Sequence, residues 1–107
     1  MEIIKRDGSI VKFDRKRIEN AINSAFLEVD GKLYETDTAE DIARDIEKII
    51  KNSPIQVTVE SIQDWIEDFL MRSERRDVAR AYIRFRYRKE VIRNRSDDFM
   101  NAVGEKL

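Results

Sequence analysis

The chain is 107 residues long, enough for one domain with one modest core, and 41% of its residues are hydrophobic against 40% charged. It has no cysteine and no histidine, which excludes disulfides, thiolate metal sites, cysteine nucleophiles and the commonest general base. The net charge of −1 is unevenly placed: ten Lys/Arg stand against three Asp/Glu between Arg72 and Arg95, +7 there and −8 on the rest, which marks either a binding surface or two parts of one domain that attract each other.

The first elements are short and β-prone. Ile3-Ile4-Lys5 and Ile10-Val11-Lys12-Phe13 flank Asp7-Gly8, a hairpin signal because Gly tolerates positive φ. Asp14 then fits an N-cap, its carboxylate accepting from the N–H of Lys16 or Arg17. A first helix is predicted over about 15–29, with Ile18, Ala21, Ile22, Ala25, Phe26 and Val29 at three- and four-residue spacing. Asp30-Gly31 ends it.

Thr36 to Thr38 offers the next cap, and Thr38-Ala-Glu-Asp41 resembles a capping box with Asp in place of Glu. The second helix runs to about residue 52 and buries Ile42, Ile46, Ile49 and Ile50. Asn52-Ser53-Pro54 breaks the chain, and Ile55-Gln56-Val57 alternates as a possible third strand. Thr58 caps a third helix, with Glu60 in its first turn and Ile62, Trp65, Ile66, Phe69 and Leu70 on its apolar face. A fourth helix covers about 75–94, with Val78, Ala81, Tyr82, Phe85 and Ile92 on its core side. Residues 96–107 lack periodicity and read as a tail or the stub of a linker, leaving 1–95 as the domain. The fold class is mainly α (α+β): a four-helix bundle capped by a small two- or three-stranded sheet. Two strands alone are marginal in water, so the hairpin packs across one end of the helices. No apolar run has the length of a membrane span, and the opening residues lack the apolar stretch of a signal peptide, so a cytoplasmic placement is expected.

Two groups of residues stand out chemically. Lys5, Arg6, Lys12, Arg15, Lys16 and Arg17 gather around the hairpin and the start of the first helix. Basic residues in a first helical turn oppose the macrodipole, which an anion would relieve. The bland alternative is a solvated basic patch beside Asp14 and Glu19. The second group, Arg76, Arg80, Arg84 and Arg88, lines one face of the fourth helix and needs acidic neighbours, which the second helix offers, or bound anions. Arg84-Phe-Arg-Tyr-Arg88 interleaves basic and aromatic residues as single-strand binders do, but on a helix Phe85 turns toward the core. Trp65 is read as a core residue rather than a stacking platform. No catalytic or metal-ligating set emerges, and no P-loop or nucleophile-elbow motif is present.

At this point three motifs carry a resemblance. Ile3-Ile-Lys-Arg-Asp-Gly-Ser-Ile-Val-Lys-Phe-Asp-Arg-Lys-Arg-Ile18 resembles the opening signature of the ATP-cone domain, Val57-Thr-Val-Glu-Ser-Ile-Gln63 its third-helix entry, and Asp77-Val-Ala-Arg-Ala-Tyr-Ile-Arg-Phe-Arg-Tyr-Arg88 its closing helix. The wording at Asp77 to Ile83, with Ala25 to Asp30, is most similar to the N-terminal cone of anaerobic ribonucleoside-triphosphate reductases. The resemblance implies a four-helix bundle with a three-stranded cap. It implies an allosteric domain that binds ATP or dATP, with Mg2+ but no protein-bound metal site. Such a domain controls the activity and oligomeric state of an anaerobic ribonucleotide reductase and is not catalytic by itself.

Carried over by position, the resemblance implies phosphate contacts from Lys5, Arg6, Arg17 and Arg88. It implies adenine contacts around Ile3 and from Val11, a polar or ribose role for Asp14, and a lining role for Thr58 and Gln63. The implied partners are adenine nucleotides, the catalytic reductase domain and other cones, with no membrane and with nucleic acid disfavoured. The chain departs from the family where Arg17 replaces a common Lys, where Val11 replaces an acidic residue of some cones, and where Gln63 and Phe85 stand at His positions. Two alternatives stay open: the cone module of a transcriptional repressor of reductase genes, and a ligand-free oligomerisation domain.

Overall fold

The computed structural model describes residues 1–33 and 37–89. The hairpin closes around Lys5 to Ser9. The Gly8 N–H donates to the Lys5 carbonyl at 2.9 Å and the Lys5 N–H to the Ser9 carbonyl at 2.8 Å, with Gly8 at φ 87°, the left-handed region that favours glycine. The Asp7 carboxylate accepts from the Ser9 hydroxyl at 2.6 Å and from the Ser9 N–H at 2.9 Å, a local pattern that stiffens the turn. Its strands, β1 (Glu2–Ile4) and β2 (Ile10–Lys12), pair antiparallel with Ile3 opposite Val11.

A third strand, β3 (Val57–Thr58), joins the other edge of β1 in parallel, so the order is β2-β1-β3. It is shorter than the alternation at Ile55-Gln56-Val57 predicts. The Ser53 hydroxyl donates to the Ile55 carbonyl at 2.7 Å, which turns the chain after Pro54 and leaves Ile55 exposed. Pairing therefore starts at Val57.

Helix α1 (Arg15–Asp30) starts on Asp14, whose side chain accepts from the Lys16 N–H at 3.0 Å, and stops at Gly31, φ 77°. Helix α2 (Thr38–Lys51) departs from the expected capping box. Asp37, not Thr38, occupies the cap position, and it makes no side-chain cap hydrogen bond. Glu40 and Asp41 in the first turn complement the dipole instead. Thr36, the other cap candidate, lies outside the described residues. Helix α3 (Val59–Arg72) is capped as predicted by Thr58, which accepts from the Ser61 N–H at 3.1 Å. Glu74 then takes φ 71° in the turn after α3, a left-handed conformation that costs a non-glycine residue about 1 kcal/mol. The fourth helix, α4, is described over 76–89. Its expected end at about 94, with Ile92, and the tail 96–107 lie outside the described residues.

The core lies between the helices and under β1. Ile22, Ile46, Leu70 and Val78 are its largest fully buried side chains, one from each helix. Truncating any of them removes on the order of 2–5 kcal/mol. Ile49, expected inside, is 37% exposed, because α2 turns Ala39, Ile42, Ala43, Ile46 and Ile50 inward and Ile49 falls at the edge of that stripe. Phe85 is half-buried and packs against the core rather than within it, as does Trp65. Arg75 fastens the start of α4 to the end of α1: its Nη2 lies 2.7 Å from Asp30 Oδ1 and its Nε 3.1 Å from Asp77 Oδ1.

Candidate functional site

The hairpin lies across one end of the bundle, and its turn faces the first turn of α3 and the last described turn of α4. A cleft of two joined lobes opens there. The larger, about 380 Å³, has Ala21 and Ser24 of α1, Gln63 of α3 and Tyr82 and Phe85 of α4 as its floor, with Arg86, Arg88 and Lys89 at its rim. This volume lies in the range of small-ligand pockets. The smaller, about 80 Å³, is lined by Lys5 and Arg6 from the hairpin, Val59 and Glu60 from the start of α3, and Arg86 and Lys89. Gln63, Arg86 and Lys89 border both lobes, so the two adjoin across these side chains.

The lobes differ in character. The larger has an aromatic wall, with Tyr82 buried and Phe85 half-buried. The Arg88 guanidinium sits 5.6 Å from the Phe85 ring centroid, a cation–π arrangement that holds it at the rim. Burial pushes the Tyr82 phenol well above its ordinary pKa, so it remains neutral and can donate a hydrogen bond. The smaller lobe meets the N-terminus of α3, where backbone N–H groups and the helix dipole favour an anion. Four cations surround it against the single carboxylate of Glu60.

Arg86 is the most constrained of these. Its Nη1 lies 2.8 Å from Asp64 Oδ1 and 2.8 Å from Glu67 Oε1, both on α3. Burial opposes its charge, but the hydrogen bonds to Asp64 and Glu67 outweigh that and raise its pKa. Asp7, in the hairpin turn, is held below the usual carboxylate range by the Ser9 hydroxyl and N–H, with help from Lys5.

A second cleft, about 450 Å³, lies beside the start of α1 and is lined by Asp14, Arg15, Lys16, Glu19, Glu40 and Arg44. Its charges balance. Glu19, only 8% exposed, is 3.6 Å from Arg15 Nε and 3.5 Å from Lys16 Nζ. Arg15 also reaches Glu47 of α2 at 3.8 Å.

Of the residues nominated from the sequence, Lys5, Arg6, Gln63 and Arg88 line the two-lobed cleft. Ile3, Val11, Asp14, Arg17 and Thr58 do not border it. Ile3 is buried in the central strand, and Val11 is half-buried opposite it. Asp14 is spent on the α1 cap and lines the second cleft. Arg17 has a side chain 83% exposed, 4.0 Å from Asp14, and Thr58 caps α3.

The cleft also holds Tyr82, Arg86 and Lys89, which the sequence reading passed over. The spacing of four from Arg76 to Arg84 points to the outer face, and only Arg88 of that series reaches the cleft. The inward spacing Tyr82, Arg86, Lys89 was legible by the same arithmetic. Arg76, Arg80 and Arg84 are exposed and form no ion pair among the described residues. Neutralisation by α2 does not occur there, because Glu47 serves Arg15 and Lys51, and Asp41 serves Arg44.

The ATP cone domain family matches residues 1–91, which contain every described residue of the cleft. The chain belongs to the ATP cone domain family. The cone is a nucleotide-binding regulatory domain. It is similar to part of the vitamin B12-dependent ribonucleoside-diphosphate reductase of Thermoplasma acidophilum, 35% identical over 90% of this chain and 13% of that protein. It is 32% identical to the anaerobic ribonucleoside-triphosphate reductase of Haemophilus influenzae, over 94% of this chain and 14% of that protein. It is 36% identical to the ribonucleoside-diphosphate reductase subunit alpha of Chlamydia pneumoniae, over 94% of this chain and 11% of that protein. The cone thus spans between 11% and 14% of the length of these curated relatives.

Proposed function

We propose that the domain binds an adenine nucleoside triphosphate, ATP or dATP, in the two-lobed cleft and thereby regulates a ribonucleotide reductase. The observation that carries this reading is the meeting of Lys5 and Arg6 from one end of the chain with Arg86 and Lys89 from the other, at the N-terminus of α3. The small cationic lobe takes the phosphates. The larger lobe, with its aromatic floor, takes the nucleoside, and Gln63 on the shared wall offers both a donor and an acceptor. Among the described residues no group of three or more carboxylates is placed to hold a metal. Mg2+ would accompany the triphosphate, bound through its phosphate oxygens.

The regulated enzyme is proposed to be the anaerobic reductase, on the wording at Asp77 to Ile83; relatives at 32–36% identity include three kinds of reductase. Regulation would work by population shift: ATP and dATP would favour different packings of the cone against a second cone or the catalytic part. A cytoplasmic setting follows from that reading, and no helix among the described residues is long and apolar enough to cross a membrane.

Calorimetric titration of the 107-residue chain with ATP, dATP and AMP tests the proposal. Saturable heat with both triphosphates and much weaker binding of AMP is expected, since the cationic lobe would be left unfilled. Equal, negligible heats for all three would overturn it.

A further inference from the structure

Arg86 stands at the one wall the two lobes share, yet its charge is already claimed. A single nitrogen, Nη1, is 2.8 Å from two carboxylates, Asp64 and Glu67, while the guanidinium borders both lobes. A guanidinium has five N–H donors, and the Arg86 Nε and Nη2 make no hydrogen bond among the described residues. Two carboxylates on one cation leave a local excess of negative charge. Glu67 has a side chain 25% exposed and Asp64 one 64% exposed, and each is 2.8 Å from the Arg86 nitrogen that they share. Glu60, one turn earlier on the same helix, lines the small lobe as well.

We propose that Asp64 and Glu67 act as built-in competitors of the ligand: an entering polyphosphate takes over Arg86 and releases the two α3 carboxylates, so that occupancy of the cleft loosens the α3–α4 clasp. This rests on the nucleotide reading and deepens it, because it names how filling the cleft alters the protein. Polyphosphate and carboxylate are the same class of acceptor for a guanidinium, and like charges crowded around one cation repel. A phosphate seated on Arg86 therefore meets repulsion from Glu67 and Asp64 until they withdraw. The two acids lower affinity in the resting molecule and give α3 two arrangements. In one it is clasped to α4 through Arg86. In the other its acidic face is turned free. The single tryptophan, Trp65, lies between Asp64 and Ile66, half-buried against the core, and so reports on that change from within α3.

The test is a double-mutant cycle on the full 107-residue chain, with ATP affinity by calorimetry and Trp65 emission as readouts. Glu67→Gln is expected to tighten ATP by about tenfold, since it removes a charged acceptor competing for Arg86. Asp64→Asn acts in the same direction, less strongly, because Asp64 is more solvated. In an Arg86→Ala background Glu67→Gln is expected to change affinity by less than about twofold, because the residue fought over is gone. ATP is expected to shift Trp65 emission in the wild type and to shift it less in Glu67→Gln, where Asp64 alone holds Arg86 by charge. If the wild type binds ATP but Glu67→Gln leaves affinity unchanged or weakens it, the carboxylates are structural partners of Arg86 and the competition is wrong. If neither the wild type nor Glu67→Gln binds ATP or dATP, the nucleotide reading fails and this inference falls with it.

Discussion

The two clefts of this small domain draw on the same stretch of basic sequence and end with opposite chemistry. Lys5 and Arg6 enter a space where, with Arg86, Arg88 and Lys89, cations outnumber the carboxylate of Glu60. Arg15 and Lys16, about ten residues further on, enter one where Asp14, Glu19 and Glu40 cancel them and Arg44. Both spaces lie beside a helix N-terminus. In the first the lining cations outnumber the lining carboxylates, whereas in the second the two are equal. A run of basic residues thus says little about anion binding until the carboxylates facing each cation are known.

That contrast makes quantitative demands. Removing two cations of the first cleft together, Lys5→Ala with Lys89→Ala, should weaken ATP by about a hundredfold, roughly 3 kcal/mol at ~1.5 kcal/mol for each charged contact. Isothermal titration reads this directly, and a loss under about fivefold would mean the phosphates lie elsewhere. Thr58→Ala removes the cap beside the small lobe and should cost about 1 kcal/mol, seen as a melting temperature lower by about 4–8 °C.

The second cleft should answer differently. Glu19→Gln deprives Arg15 and Lys16 of their shared, nearly buried partner and should cost on the order of 1 kcal/mol in urea unfolding. Its ATP affinity should stay within about twofold, since the charges involved are remote from the ligand and screened. Arg44→Ala, exposed and paired among the described residues with Asp41 at 3.3 Å, should change either quantity by no more than about 0.5 kcal/mol. A tenfold drop in ATP affinity for either variant would place nucleotide in the wrong cleft.

The smallest effect concerns acid. Asp77 is held below its ordinary value of 3.8, chiefly by its hydrogen bond with Arg75. A depressed carboxylate contributes stability above its unfolded value and loses it as pH falls through the folded one. Asp77→Asn should therefore lower the melting temperature slightly at neutral pH and match the wild type once acid has protonated Asp77 in the folded state, below 3.8. Thermal melts across that range would show the two curves converging; parallel curves would remove Asp77 from the clasp that joins α4 to α1.

Much of the fold was readable residue by residue. Asp7-Gly8 between β-prone runs, Asp14 and Thr58 as caps, and apolar spacing in the helices are local signals, and each operates over four to eight residues of chain. The candidate site was half readable for the same reason. Lys5 and Arg6 announce themselves by lying in a tight turn and Arg88 by helical spacing, whereas Arg86 gives no local hint that two α3 carboxylates will seize it. The miss at Ile49 came from treating a helical stripe as wider than it is. Asp37 lies within the Thr36-to-Thr38 span where a cap is expected, while the capping box starting at Thr38 is not formed, because the rule fits two adjacent positions almost equally well.

What the amino-acid order settled unaided, then, is where helices and turns begin and stop, because backbone preferences and caps are decided within a few neighbouring residues. Which cations share a cavity, and which are cancelled, was settled only when the chain folded. Electrostatic balance depends on distances of a few ångströms between groups up to some eighty residues apart, and the placing of the hairpin turn beside the start of α3 and the last described turn of α4 sets those distances.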